Sequence, residues 1–169
     1  ERKEVKDAIA YLRLTINPDD GIAFERIVNL PKRGVGVTSI NKFYSIAREK
    51  AISLPKAARQ FAENSNANVA IKLSYFFRQL DVWRDAADVL SPSELMQKSL
   101  DECGYIEMLK AEKTVENEAR RENLDELVTA LREFESVSEF LDYVSLVLDN
   151  AGATTRDSVT ISTIHAAKG

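Results

Sequence analysis

From Val69 to Leu90 the chain sets an apolar residue at every third or fourth position: Val69, Leu73, Phe76, Leu80, Trp83, Ala87 and Leu90. This spacing gathers them on one side of an α-helix but scatters them over both faces of a strand, so the stretch can bury itself only as a helix. Its aromatic members are core material rather than a base-stacking platform. The same period governs most of the rest of the chain. Val5, Ala8, Ile9, Leu12 and Ile16 predict a first helix that Asn17-Pro18 ends. Asp19 or Asp20 can cap a short second helix with Ile22, Phe24, Ile27 and Val28 on its inner side, and a third carries Ile40, Phe43, Tyr44 and Ala47.

Capping signals divide the remainder. Ser53 with Pro55 opens a short helix containing Phe61, and Glu63 to Asn68 reads as a loop. Ser91-Pro92-Ser93-Glu94 is a capping box that starts a helix expected to stop at Cys103-Gly104. A short helix through Ile106 and Leu109 follows. Thr114 then caps a long one containing Val115, Ala119, Leu124, Leu127, Val128, Leu131 and Phe134. Its other side, Glu116, Glu118, Glu122, Asp125 and Glu126 among Arg120 and Arg121, reads as a solvated face laced with weak ion pairs. Ser136 to Glu139 forms a second capping box before Phe140, Leu141, Val144 and Leu148. At Asn150 to Thr155 small and turn-forming residues predict a linker, and the β-branched run Ser158 to Ile164 predicts a single strand. The expected fold is therefore an all-α multi-helix domain with a short C-terminal β-strand.

Leu30-Pro31-Lys32-Arg33-Gly34-Val35-Gly36-Val37-Thr38-Ser39 is the stretch with chemical content. Glycines on either side of Val35 allow a tight turn and close approach of another surface. The helix that follows offers free N–H groups and the positive end of its dipole beside Thr38 and Ser39. Lys32, Arg33 and Lys42 add side-chain charge, so the unit could hold a backbone phosphate of nucleic acid without reading bases. A Gly-x-Gly of this kind also serves as an ordinary helix–helix turn. A dinucleotide site fits poorly, because no strand pattern precedes the glycines and no acidic residue follows at the distance a ribose contact needs. The chain also lacks a P-loop.

Composition narrows the classes further. In 169 residues, 44% hydrophobic, a single domain has enough apolar material for a core. The net charge of -4 argues against a general polyanion binder, so nucleic-acid contact must come from a local patch. Lys32 to Lys50 is such a patch, with Lys32, Arg33, Lys42, Arg48 and Lys50 against Glu49 alone. The single cysteine, Cys103, excludes a disulfide framework or Cys-rich metal site and fits a reducing cytosol. No apolar run reaches membrane-spanning length and no signal peptide is recognisable. The charged start without Met points to a piece of something longer.

Read together, several blocks resemble UvrD/Rep/PcrA-type superfamily 1 DNA helicases. Glu1 to Leu14 is similar to the segment leading from the second motor domain of these helicases into its inserted 2B subdomain. Asn17-Pro18-Asp19-Asp20, Phe24 to Asn29, Pro31 to Gly36, Gly104-Tyr105, Met108 and Glu122 to Leu127 continue the resemblance in the family's order. Thr163-Ile164-His165-Ala166-Ala167-Lys168-Gly169 resembles helicase motif V.

The resemblance implies a 2B-like helical subdomain over 1–157, then a strand and truncated motif V of the motor domain over 158–169. It assigns duplex-backbone contact to Lys32, Arg33, Gly34, Val35, Gly36, Ser39 and Lys42. Thr163, His165, Lys168 and Gly169 would line the single-strand track and couple to the nucleotide. No catalytic residue, metal ligand or cofactor is implied within this chain. ATP and Mg2+ belong to the parent helicase, whose ATP-binding and magnesium motifs lie elsewhere. Expected partners are double-stranded or forked DNA, the other motor domains of the parent and proteins of repair or transcription, in a bacterial-type cytoplasm. A competing reading makes the charged face from Glu116 to Glu126 a protein docking surface.

Overall fold

The computed structural model describes residues 2–154, with side chains described as far as Val147. The predicted strand and the motif V residues Thr163, His165, Lys168 and Gly169 lie outside the described residues, as does the side chain of Leu148. Among the described residues the only regular structure is helical: α1 (Lys3–Ile16), α2 (Gly21–Ile27), α3 (Val37–Lys50), α4 (Leu54–Glu63), α5 (Asn68–Ala86), α6 (Pro92–Glu102), α7 (Tyr105–Ala111), α8 (Val115–Ala130) and α9 (Val137–Thr154). A short 3-10 helix, Leu131–Glu133, follows α8. No described helix is long and apolar enough to cross a membrane.

Most helix starts follow from side-chain caps. Asp20, Ser53, Ser91 and Thr114 each accept a backbone N–H at the N-termini of α2, α4, α6 and α8, and at Ser91 both halves of the capping box are made. Ser136 Oγ likewise accepts from Glu139 N, 3.0 Å away, at the start of α9. Helix α6 stops where expected, with Gly104 at φ 87°.

Two units partition the chain. One contains α1 from Ala10 onward together with α2 to α5. Its core gathers Tyr11, Phe24, Phe43, Phe76, Phe77 and Trp83, with Tyr11 set edge-on to both Phe76 and Trp83. Helix α1 buries residues on nearly every side, Leu12, Leu14 and Thr15 included, which a helix does only when surrounded. The other unit joins the first turns of α1, through Ile9, to α6–α9. There the buried Glu4 and Asp7 of α1 meet polar partners: Asn123 Nδ2 donates to Glu4 Oε1 at 2.6 Å, and the Tyr105 hydroxyl donates to Asp7 Oδ2 at 2.7 Å. Burial and then the Asp7 carboxylate push the Tyr105 hydroxyl well above its ordinary pKa.

Several expectations are corrected. Ile22 is 89% exposed, because the buried side of α2 is Ala23, Phe24 and Ile27, and Ile22 points away from that arc. Tyr44 lies outward on α3, whose only buried residue is Phe43. Helix α5 ends at Ala86, short of Ala87 and Leu90, in a turn whose Val89 and Leu90 N–H groups both donate to the Ala86 carbonyl ahead of the extended Ser91 cap. Val115 and Ala119 face solvent on α8, and the helix tightens into 3-10 geometry before Phe134. The predicted linker at Asn150 is helical through Thr154 as part of α9. Alanine is the strongest helix former, and one glycine costs only about 1 kcal/mol in a helix.

Candidate functional site

The segment from Asn29 to Ser39 joins α2 to α3 and is held from beneath. Arg33, 7% exposed, turns inward. Its Nη1 donates to the carbonyls of Ile27 at 2.9 Å and Val28 at 3.1 Å, and more distantly to that of Pro31. The Ile27 carbonyl also accepts from Leu30 N at 3.0 Å, so Arg33 adds a second bond there and supplies the described donor to Val28, closing the end of α2 as a basic side chain should. Arg33 Nη2 donates to the Tyr11 hydroxyl at 2.8 Å, and that hydroxyl donates in turn to the Leu30 carbonyl at 2.7 Å. The guanidinium also lies 4.2 Å from the centre of the Phe76 ring, a cation–π contact strengthened by exclusion of water.

Asn29 completes the support. Its Oδ1 accepts the backbone N–H of Arg33 at 2.8 Å and of Val35 at 3.1 Å. Val35 itself is buried, its side chain anchoring the turn.

Above this base the two glycines face solvent. Gly34 has φ +78°, in the left-handed region, whereas Gly36 is extended, with φ -101°. A methyl group placed on either would meet no atom within 4 Å. Gly36 is the N-cap of α3 and supplies no side-chain bond. Among the described residues, the backbone N–H groups of Gly34, Gly36, Val37, Thr38 and Ser39 have no hydrogen-bond partner. The side-chain caps at α2, α4, α6 and α8 make α3 stand apart from those helices.

The predicted contact residues thus divide. Gly34, Gly36 and the exposed Lys32 share the outer surface with Thr38, and Ser39 is half-buried. Lys42 is exposed one turn into α3, its Nζ 5.5 Å from the centre of the Phe61 ring. The side chains of Arg33 and Val35 are turned inward, and Val35 N is already bonded to Asn29. Sequence reasoning placed Arg33 among the phosphate contacts because of its charge; the carbonyls it must satisfy hold it inside. Tyr11 and Asn29 were missed as supports, since nothing local marks Tyr11 as the partner of a turn in the next loop.

Arg59 and Asp81 form a bidentate pair, both bonds 3.0 Å, joining α4 to α5, with Arg84 adding a third bond of 3.3 Å to Asp81. Partial burial works to raise the Asp81 carboxyl, but the hydrogen bonds and charges of Arg59 and Arg84 outweigh it and hold the group below its ordinary value. No group of three or more potential metal ligands occurs among the described residues.

A helical domain entered through α1 and carrying this glycine turn belongs to the UvrD-like helicase C-terminal domain family, whose family model matches residues 1–169. Among relatives, the chain is 41% identical over 183 residues to the ATP-dependent DNA helicase PcrA of Bacillus subtilis. It is 39% identical over 173 residues to the probable DNA helicase II homolog of Rickettsia conorii. Both comparisons cover 100% of this chain, which spans only 25% and 26% of the respective relatives.

Proposed function

We propose that residues 1–157 are the 2B-type insertion of an ATP-dependent 3′ to 5′ DNA helicase acting in repair or replication, and that 158–169 begin its return to the motor domain through motif V. In this reading the insertion holds the backbone of the duplex ahead of the fork and regulates unwinding through its orientation. ATP and Mg2+ act in the motor domains of a cytoplasmic parent, and the present chain performs no hydrolysis itself. Thr163, His165, Lys168 and Gly169 serve the single-strand track once joined to the rest of that protein.

One observation carries the reading: an uncapped helix N-terminus and two solvent-facing glycines sit side by side on a turn braced from below, with Lys32 and Lys42 nearby. Unpartnered amides and exposed cations suit a phosphate backbone, which is bound by charge and geometry without reference to base sequence. Titration of a hairpin duplex at low salt tests it. Binding should be independent of sequence, should weaken in Gly36→Val, and should weaken again when Lys32 and Lys42 are neutralised. A chain that binds no hairpin, or binds it equally well after these changes, sinks the assignment.

The charged face of α8 supports a second reading, a docking surface for repair or transcription proteins. Glu118, Glu122 and Asp125 are exposed there, while Glu116 and Glu126 are engaged by Arg120 and Arg2. Solvated helix faces commonly look like this, so the glycine turn carries the greater weight.

A further inference from the structure

We infer that Asn29 is the positioning residue of the glycine turn, deciding which of its amides are spent on the protein and which remain for a phosphate. The inference rests on the duplex-binding reading and adds to it a residue that touches no DNA. Within the turn the amides alternate. Arg33 N and Val35 N are both taken by the single acceptor Asn29 Oδ1, while Gly34 N and Gly36 N have no partner among the described residues.

Arg33 N and Val35 N reach one oxygen although Gly34 lies between them, so the backbone turns back on itself at Gly34, and the Gly34 and Gly36 amides are left off that acceptor. The positive φ of Gly34 permits this reversal. An asparagine suits the task because its amide oxygen has two lone pairs and no charge. A carboxylate could accept the same two bonds but would put a negative charge beside the phosphate. The second support, Arg33 on Tyr11 and Phe76, acts on carbonyls and leaves these amides alone, so the two roles are separable. Asn29 therefore prepays the ordering that a ligand would otherwise have to impose.

The test uses the whole 169-residue chain with Asn29→Ala and Asn29→Asp, read by amide hydrogen exchange and by hairpin-duplex titration. In the unaltered chain, Arg33 and Val35 amides should be protected and those of Gly34 and Gly36 should exchange freely until the hairpin is added. Asn29→Ala should release Arg33 and Val35 and weaken hairpin binding roughly tenfold or more, as expected for lost preorganisation. Asn29→Asp should restore protection at both amides yet still bind weakly, with a loss that shrinks as salt rises. A structural role alone would not separate those two readouts, and the aspartate variant retains the bonds if the alanine variant fails to fold.

The inference is overturned if Arg33 and Val35 exchange freely in the unaltered chain, or if Asn29→Ala binds the hairpin as well as the unaltered chain does. Absence of hairpin binding by the unaltered chain overturns the duplex reading and the DNA role of Asn29 together. In that case the exchange pattern alone still shows whether Asn29 orders the turn.

Discussion

At the scale of single residues, the two glycines of the turn carry different loads. Gly34 sits at φ +78°, where an L side chain crowds its own backbone even with open space around it. Gly34→Ala should therefore lower stability by about 1 kcal/mol, measured as a shift in urea midpoint without change in slope. Gly36 is extended with room for a side chain, so Gly36→Ala should cost only about 0.5 kcal/mol, the poorer N-cap being partly offset by restriction of the unfolded chain. A stability loss at Gly36 as large as at Gly34 would contradict the open geometry described for it. The contrast also makes Gly36 the cleaner probe of ligand approach, since a bulky residue there changes the surface without straining the turn.

At the scale of elements, α5 shows how one helix serves two environments. Trp83 is fully buried beside Tyr11, whereas its neighbour Val82 is 55% exposed. Trp83→Ala should cost about 3–5 kcal/mol, a large share of a domain's usual stability, while Val82→Ser should stay within about 0.5 kcal/mol. Denaturant titration of both variants checks the pair. This division was legible in the sequence because a stripe at three-and-four spacing fixes which side is buried, and Leu73, Phe76, Leu80 and Trp83 all lie where it put them. Caps were legible because they are local: Ser91 and Thr114 each act on the amide three residues away. Ile22 and Val115 were misjudged because a short or sparsely apolar helix leaves its inward direction to tertiary packing. The same α5 also carries a pH response. Asp81 is held below its ordinary pKa by Arg59 and Arg84, so its contribution is present above the usual carboxylate range and is lost as pH falls through the depressed value. Below about pH 4, the model-peptide value for aspartate, Asp81→Asn should lose stability less steeply than the unaltered chain. Its half-exposed partners keep the difference to about 1 kcal/mol or less.

At the scale of the whole molecule, the charge balance and the turn have to be reconciled. A chain of net charge -4 gains nothing from its overall field when it approaches DNA, so the proposed binding rests on the basic stretch between Lys32 and Lys50. The sequence showed that stretch but not how few of its cations are free to act, because the inward turn of Arg33 depends on Tyr11 and Phe76, both remote along the chain. Salt dependence counts the cations that act. Each side chain neutralising a phosphate releases a counterion and adds close to 0.9 to the slope of log affinity against log salt. On the proposed interface, Lys32→Ala and Lys42→Ala should each lower that slope by about 1. Arg33→Met should leave it unchanged, because its guanidinium is already committed to carbonyls and to Tyr11. Any affinity lost in Arg33→Met should instead accompany lost stability, since the Val28 carbonyl would lose its described donor and that of Ile27 would keep only Leu30 N. Hairpin titrations at several salt concentrations separate the cases: a slope that falls with Arg33→Met would put its charge on the DNA, and one indifferent to both lysines would take the phosphates away from this turn.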